Sequence, residues 1–141
     1  MGPVSILICD DFEPWRRTVI AILAEDADLE IVGECSDGLE AVQMAAKLQP
    51  DLIVLDITLP TMNGLEAGRL ILAASPGMKI LFLSTYRSSE MVREAVRMGA
   101  GFIAKSDAGR DLLPMVRAAV RNEPFVRFRV MEDDPANPDE I

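Results

Sequence analysis

The sequence contains no histidine. This absence excludes catalysis by Ser-His-Asp and Cys-His arrangements, and it excludes a phosphohistidine on this chain. It also removes the commonest transition-metal ligand. A metal site here is therefore expected to use oxygen ligands and to hold a hard cation.

Positive charge is scarce. The chain has 14 lysines and arginines against 23 aspartates and glutamates, with a net charge of −9 and a pI near 4.5. Direct nucleic-acid binding needs a basic patch, so this balance argues against a nucleic-acid partner. Part of the acidity is local, since residues 132–141 hold five acids and no base. We interpret this end as a solvated and mobile segment.

Long apolar runs are missing, although 50% of the 141 residues are apolar. The longest runs have the length of β-strands, which is too short to cross a membrane. No cationic region precedes the short apolar run near the start, so no secretion signal is predicted. We expect a cytoplasmic protein with no membrane partner and one domain with a sizeable core.

Cysteine is also rare. Cys9 and Cys35 both lie inside apolar segments. Two buried, reduced thiols fit a cytosolic protein better than a disulfide does. We therefore predict that both cysteines are reduced.

Strand-like and helix-like segments alternate along the chain. The predicted strands cover 4–9, 29–35, 51–56, 79–84 and 101–104. Helical patterns follow each strand, from Pro14, at 37–49, at 64–75, at 88–99 and up to about Asn122. In the first of them, one face is shared by the apolar residues Trp15, Val19, Ile22 and Leu23. Near-continuous apolar strands predict an α/β fold with a doubly wound, five-stranded parallel sheet in the flavodoxin-like order 2-1-3-4-5, with helices on both faces. Because proline disrupts a helix interior, Pro114 predicts a last helix that starts near Asp111 or is kinked.

Polar residues follow four of the predicted strands. Asp10 and Asp11 follow the first strand, Asp56 ends the third, Ser84 ends the fourth and Lys105 follows the fifth. In the predicted order these strands are neighbours, and their carboxyl ends form the crevice where such sheets bind ligands. Each residue alone is typical of a solvated turn, a helix cap or a surface side chain. Their joint placement predicts one shared site.

The chemistry of this set follows from charge repulsion. Three carboxylates within a few ångströms cannot all stay ionised without a cation. Oxygen ligands suit Mg²⁺. Lys105 could hold an anionic group beside Asp56, and Ser84 could donate a hydrogen bond to a phosphoryl oxygen. A carboxylate nucleophile, Mg²⁺ and a lysine together point to formation of an aspartyl phosphate.

On these residues, the chain resembles a two-component response-regulator receiver domain over residues 4–122. The resemblance rests on the aspartate pair and on the runs "DLIVLDITLPTMNGLE", "ILFLST" and "GAGFIAKS". The segments "VGECSDGLEAV" and "KS" are most similar to receivers that precede a helix-turn-helix DNA-binding domain, although no such domain follows in this sequence. Lys105 is followed by Ser106 instead of the frequent proline.

The resemblance implies a role for each residue of the site. A histidine kinase or phosphotransfer protein would phosphorylate Asp56, so the domain would be a signalling phosphoacceptor instead of an enzyme, assisting its own phosphorylation and dephosphorylation. The implied Mg²⁺ ligands are Asp10, Asp11, Asp56 and the backbone carbonyl of Thr58. Ser84 and Lys105 would bind the phosphoryl group, and Ser84 and Phe102 would act as the switch.

Three alternatives compete with this interpretation. A haloacid-dehalogenase-type phosphatase normally has an acid two residues after its nucleophile, where this chain has Thr58. A flavodoxin needs a phosphate-cradling loop after the first strand, where this chain has "DDFEP". The third alternative is a receiver-like fold that works as a phosphorylation-independent interaction module. The presence of all the acidic, hydroxyl and lysine residues of the predicted site argues against it.

The end of the chain carries a separate pattern. We predict a receiver domain at 1–123 and a C-terminal extension at 124–141. In "PFVRFRV", residues 124–130, apolar residues alternate with arginines, which is typical of a strand. The segment could be linker that covers the end of the last helix. It could instead pack as an extended segment on its own domain or on a second copy in a homodimer.

Overall fold

The structure is a computed structural model that describes residues 2–86 and 88–121. The proposed extension at 124–141, with its alternating segment and acidic end, lies outside the described residues. The elements are β1 (Val4–Cys9), α1 (Glu13–Leu23), β2 (Leu29–Cys35), α2 (Gly38–Leu48), β3 (Leu52–Asp56), α3 (Gly64–Ala74), β4 (Lys79–Ser84), α4 (Ser89–Arg97), β5 (Gly101–Ala104), a 3₁₀ turn (Lys105–Asp107) and α5 (Ala108–Val120).

The five strands form one parallel sheet in the order β2-β1-β3-β4-β5, as predicted. Every residue of the central strand β3 is buried, which explains its uninterrupted apolar run. Alternate strand residues face opposite sides of the sheet. Leu7, Ile53 and Phe82 belong to one apolar core, and Ile8, Val54 and Leu81 belong to the other. Helices α2, α3 and α4 contribute to the first core, and α1 and α5 to the second.

Local signals set the helix ends. Asp37, Asn63 and Ser88 cap α2, α3 and α4, each accepting a hydrogen bond from a backbone N–H three residues later. Pro14 lies in the first turn of α1, where its missing N–H is tolerated. None of the helices in the described part of the chain has the length and apolarity that crossing a bilayer requires.

The last helix begins at Ala108, three residues before the predicted start near Asp111, and it includes Pro114. The alternative prediction, a kink at the proline, stays a prediction. Proline at this position removes one helical hydrogen bond. The helix nevertheless buries Leu112 and Val116 completely, with neither side chain exposed. Tertiary packing of this apolar face stabilises the helix against the local proline penalty.

The two cysteines also differ from the prediction. They are buried as expected, but a disulfide joins Cys9 to Cys35, so the prediction of reduced thiols is wrong for this structure. The physical reason is the register of β1 and β2, which pairs the last residue of each strand. Their Cα atoms are 4.6 Å apart, within the range that a disulfide spans.

Candidate functional site

The carboxyl ends of the strands bring the predicted acidic residues together. Carboxylate oxygens of Asp10, Asp11 and Asp56 all lie within 4.8 Å of one another. Asp10 and Asp56 are buried, with exposed fractions of 2% and 4%, whereas Asp11 is exposed. An acidic cluster of this kind could hold a metal ion.

Asp10 is oriented by its neighbours in the loop that leads into α1. Its Oδ1 accepts a hydrogen bond from the Phe12 N–H at 2.8 Å. The Arg16 guanidinium donates to the Asp10 carbonyl at 2.7 Å and to the Glu34 carboxylate at 3.0 Å. Asp10 Oδ2 is buried, and its charged neighbour is the Lys105 ammonium, 2.7 Å away. A metal ion in the acidic cluster would share this oxygen with Lys105 or displace the ammonium from it.

Lys105 supplies the positive charge of the site. Its Nζ lies 2.7 Å from Asp10 Oδ2 and 3.3 Å from Asp56 Oδ2. The contact with Asp10 is an ion pair without hydrogen-bond alignment, whereas Lys105 Nζ donates a hydrogen bond to Asp56. The 3₁₀ turn that directly follows β5 places the lysine between the two acids. Only 17% of its side chain is exposed, so solvent screens the charge little.

Asp56 is held in an environment that disfavours its charge. Burial is the largest cause of a raised pKa for its carboxyl group, and the negative charge of Asp10 raises that pKa further. Lys105 and the N–H of Thr58 act in the opposite direction without cancelling these effects, so the pKa of Asp56 is raised from 3.8 to about 6. A bound divalent cation would reverse this repulsion.

Thr58 lies next to Asp56, with its backbone N–H donating to Asp56 Oδ1 at 3.2 Å. The role predicted for its carbonyl as a metal ligand stays a prediction.

Ser84 lies on the strand beside Asp56. The β3–β4 register places Asp56 opposite Leu83, one residue before Ser84. Ser84 is fully buried, and its Oγ accepts a hydrogen bond from the Tyr86 N–H at 3.1 Å. As a hydroxyl it keeps its own proton for donation. Its predicted contact with a phosphoryl group stays a prediction.

Phe102 lies on β5, fully buried in the core shared with α4. It pairs with Phe82, and Ser84 pairs with Ala104 two residues further along the same two strands. Because side chains alternate along a strand, Ser84 and Phe82 share one face of the sheet. The predicted coupling between Ser84 and Phe102 is not tested by this arrangement.

Sequence reasoning missed two residues at the site. The helical pattern places Trp15 on the apolar face of α1, but its ring also lies 5.4 Å from Lys105 Nζ. A Cβ on Gly64 would lie 2.0 Å from the backbone oxygen of Asp56, so only glycine fits behind the strand end. The glycine in "MNGLE" was a detectable signal, whereas the Trp15 contact depends on how α1 and the β5 turn meet.

Comparison with known proteins identifies the family. A family model described as response regulator receiver domain matches residues 6–117. The transcriptional regulatory protein LiaR of Bacillus subtilis is 31% identical over 128 residues, covering 90% of this chain and 61% of LiaR. The chemotaxis protein CheY of Listeria monocytogenes is 40% identical over 118 residues, covering 82% of this chain and 98% of CheY.

A solved structure supports the same assignment. The response regulator domain of Thermotoga maritima CheB is 32% identical, with a TM-score of 0.74, and the match covers 85% of this chain and 95% of that domain. The chain spans only 61% of LiaR but nearly all of CheY. This chain belongs to the response regulator receiver domain family of two-component systems.

Proposed function

We propose that this domain is a phosphoacceptor that receives a phosphoryl group on Asp56 from a phosphohistidine of a histidine kinase or phosphotransfer protein. The observation that carries the proposal is the close approach of three carboxylates beside one lysine, within 4.8 Å of one another and with Lys105 Nζ 3.3 Å from Asp56. The family membership supports it.

The proposed step is an in-line displacement at phosphorus. An Asp56 carboxylate oxygen forms the new P–O bond while the P–N bond to the donor imidazole breaks and leaves the electron pair on nitrogen. Asp10, Asp11, Asp56 and the Thr58 carbonyl would hold Mg²⁺, which when bound neutralises negative charge on the carboxylates and on the phosphoryl oxygens. Lys105 is close enough to pair with a phosphoryl oxygen, and Ser84 would donate a hydrogen bond to another. The same residues would assist hydrolysis of the aspartyl phosphate by water.

Phosphorylation would change an interaction surface. We expect Ser84 to move toward the phosphoryl group and Phe102 to move into the space vacated. The surface formed by α4, β5 and α5 would then have a different partner affinity in the two states, which is the condition for switching. Chemical shift changes caused by a phosphoryl mimic should concentrate on that surface. Changes confined to the metal loops would contradict the switch.

The alternative is a receiver fold that works without phosphorylation. Family membership leaves the phosphatase and flavodoxin alternatives without support. A homodimer through residues 124–130 and the absence of a nucleic-acid partner stay predictions.

Intact-mass measurement tests the proposal directly. After incubation with Mg²⁺ and acetyl phosphate, we expect one added phosphate on the wild type and none on Asp56→Asn. Asp28→Asn, an exposed aspartate outside the cluster, is the matched control and should take up one phosphate. A wild type without phosphate would favour the phosphorylation-independent module, and a fully phosphorylated Asp56→Asn variant would place the acceptor elsewhere.

A further inference from the structure

The ammonium of Lys105 has an aromatic partner in addition to its two carboxylates. Its Nζ lies 5.4 Å from the centroid of the Trp15 ring, and the same atom lies 2.7 Å from Asp10 and 3.3 Å from Asp56. A cation within about 6 Å of an indole face is attracted by the electron density of the ring. Lysine has a long flexible stem, so a further contact restricts where its ammonium can be.

Trp15 is held firmly enough to fulfil this role. It is partly buried in the third position of α1 and packs against the core between the sheet, α1 and α5. Its indole Nε1 is buried without a hydrogen-bond partner among the described residues. A buried, unpartnered N–H costs stability, which a phenylalanine or leucine at this position would avoid. The residue is therefore better explained by what its ring face contacts than by its N–H group.

We propose that Trp15 is a positioning residue that holds the Lys105 ammonium at the Asp10 and Asp56 carboxylates through a cation–π contact. This proposal rests on the proposed function, since it assigns Trp15 an effect on the rate of phosphoryl transfer to Asp56. It also connects α1 physically to the turn after β5, two elements that lie far apart in sequence.

The first test compares Trp15→Leu with Trp15→Phe, because phenylalanine keeps an aromatic face and leucine does not. The rate constant of phosphorylation by acetyl phosphate is measured by intact mass at saturating Mg²⁺, with thermal unfolding recorded for each variant. We expect Trp15→Leu to slow phosphorylation on the order of ten-fold and Trp15→Phe to slow it about three-fold. Equal rates for the two variants would overturn the proposal, because apolar volume alone would then explain the residue.

A double-mutant cycle separates positioning from a structural role. In a Lys105→Gln background, which has no ammonium to position, Trp15→Leu should change the rate constant less than about two-fold. An equal slowing in both backgrounds would show that Trp15 acts through general packing and would overturn the proposal.

An NMR measurement tests the position of the Lys105 side chain without relying on phosphorylation. The ring of Trp15 should shift the ε-methylene protons of Lys105 upfield, and Trp15→Leu should abolish that shift. If the wild type takes up no phosphate, the proposed function fails while this shift still decides where Lys105 lies. A Lys105 spectrum that is the same in the wild type and in Trp15→Leu would refute the contact itself.

Discussion

The two ends of β3 each carry an aspartate, and the two have different surroundings. Asp51, just before the strand, is exposed and accepts hydrogen bonds at Oδ2 from the Ser5 N–H at 2.8 Å and the Ser5 hydroxyl at 3.1 Å. Asp56, at the other end, is 4% exposed, beside a second buried carboxylate, and has its pKa raised to about 6. The carboxylate at one end of the strand is locally satisfied, whereas the one at the other end is repelled by its neighbour.

The comparison indicates that the acidic surroundings of Asp56 lower the stability of the fold at the carboxyl end of the sheet. Buried like charges destabilise a folded chain unless a counter-charge joins them. One lysine between two buried acids compensates only part of the charge. The remaining negative charge at the carboxyl end of the sheet could be compensated by a cation, whereas Asp51 at the amino end is already hydrogen-bonded to Ser5.

The largest expected effect concerns backbone packing at the two ends. Gly64→Ala would place a Cβ 2.0 Å from the backbone oxygen of Asp56, so we expect a loss of about 3 kcal/mol in the free energy of unfolding. Gly77, near the amino end of β4, has open space where a Cβ would lie, with no atom within 4 Å. Gly77→Ala is therefore the control, with an expected change below about 0.5 kcal/mol. Chemical denaturation of both variants measures the difference, and equal losses would mean that the site end is packed no more tightly than the other.

The second prediction concerns Asp56 and pH without metal. Because the pKa of Asp56 is raised in the folded state from 3.8 to about 6, the folded protein binds more protons in that window, and its stability falls as pH rises through it. Asp56→Asn removes this dependence. Its advantage in unfolding free energy over the wild type should grow by up to about 3 kcal/mol between pH 4 and pH 8, as measured by chemical denaturation at each pH.

Saturating Mg²⁺ is the control for that experiment. We expect Mg²⁺ to bind the folded wild type at the acidic cluster and to stabilise it, which should reduce the advantage of Asp56→Asn. An advantage that is the same at pH 4 and pH 8 would show that burial and Asp10 do not act on Asp56 as described.

The third and smallest prediction concerns metal affinity. Asp10→Asn should weaken Mg²⁺ binding at least about ten-fold, because it removes one charge from the buried pair, whereas Asp51→Asn should change the affinity less than about two-fold. Isothermal titration calorimetry measures both. Weakening of similar size in the two variants would place the cation site away from the acidic cluster.

Local patterns were enough to predict the sheet order and the residues at its carboxyl end. Apolar runs of strand length and their breakers place Asp10, Asp56 and Lys105 at strand ends, and parallel topology brings them together. The Cys9–Cys35 disulfide was missed because it depends on the pairing register of β1 and β2. That register cannot be predicted from a local sequence pattern.

Tertiary contacts account for the other misses. The last helix continues through Pro114 because its buried face outweighs a local penalty. The contact of Trp15 with Lys105 depends on the meeting of two elements 90 positions apart, and the helical pattern of α1 indicated only that Trp15 faces inward.

Asp56 lies in a crowded acidic site whose repulsion a divalent cation would relieve. The most direct measurement of this property is an NMR titration of the Asp56 carboxyl carbon against pH, first without metal and then with saturating Mg²⁺. We predict a pKa of about 6 without metal and a much lower one with Mg²⁺. A metal-free pKa near 3.8 that Mg²⁺ leaves unchanged would contradict this description of the site.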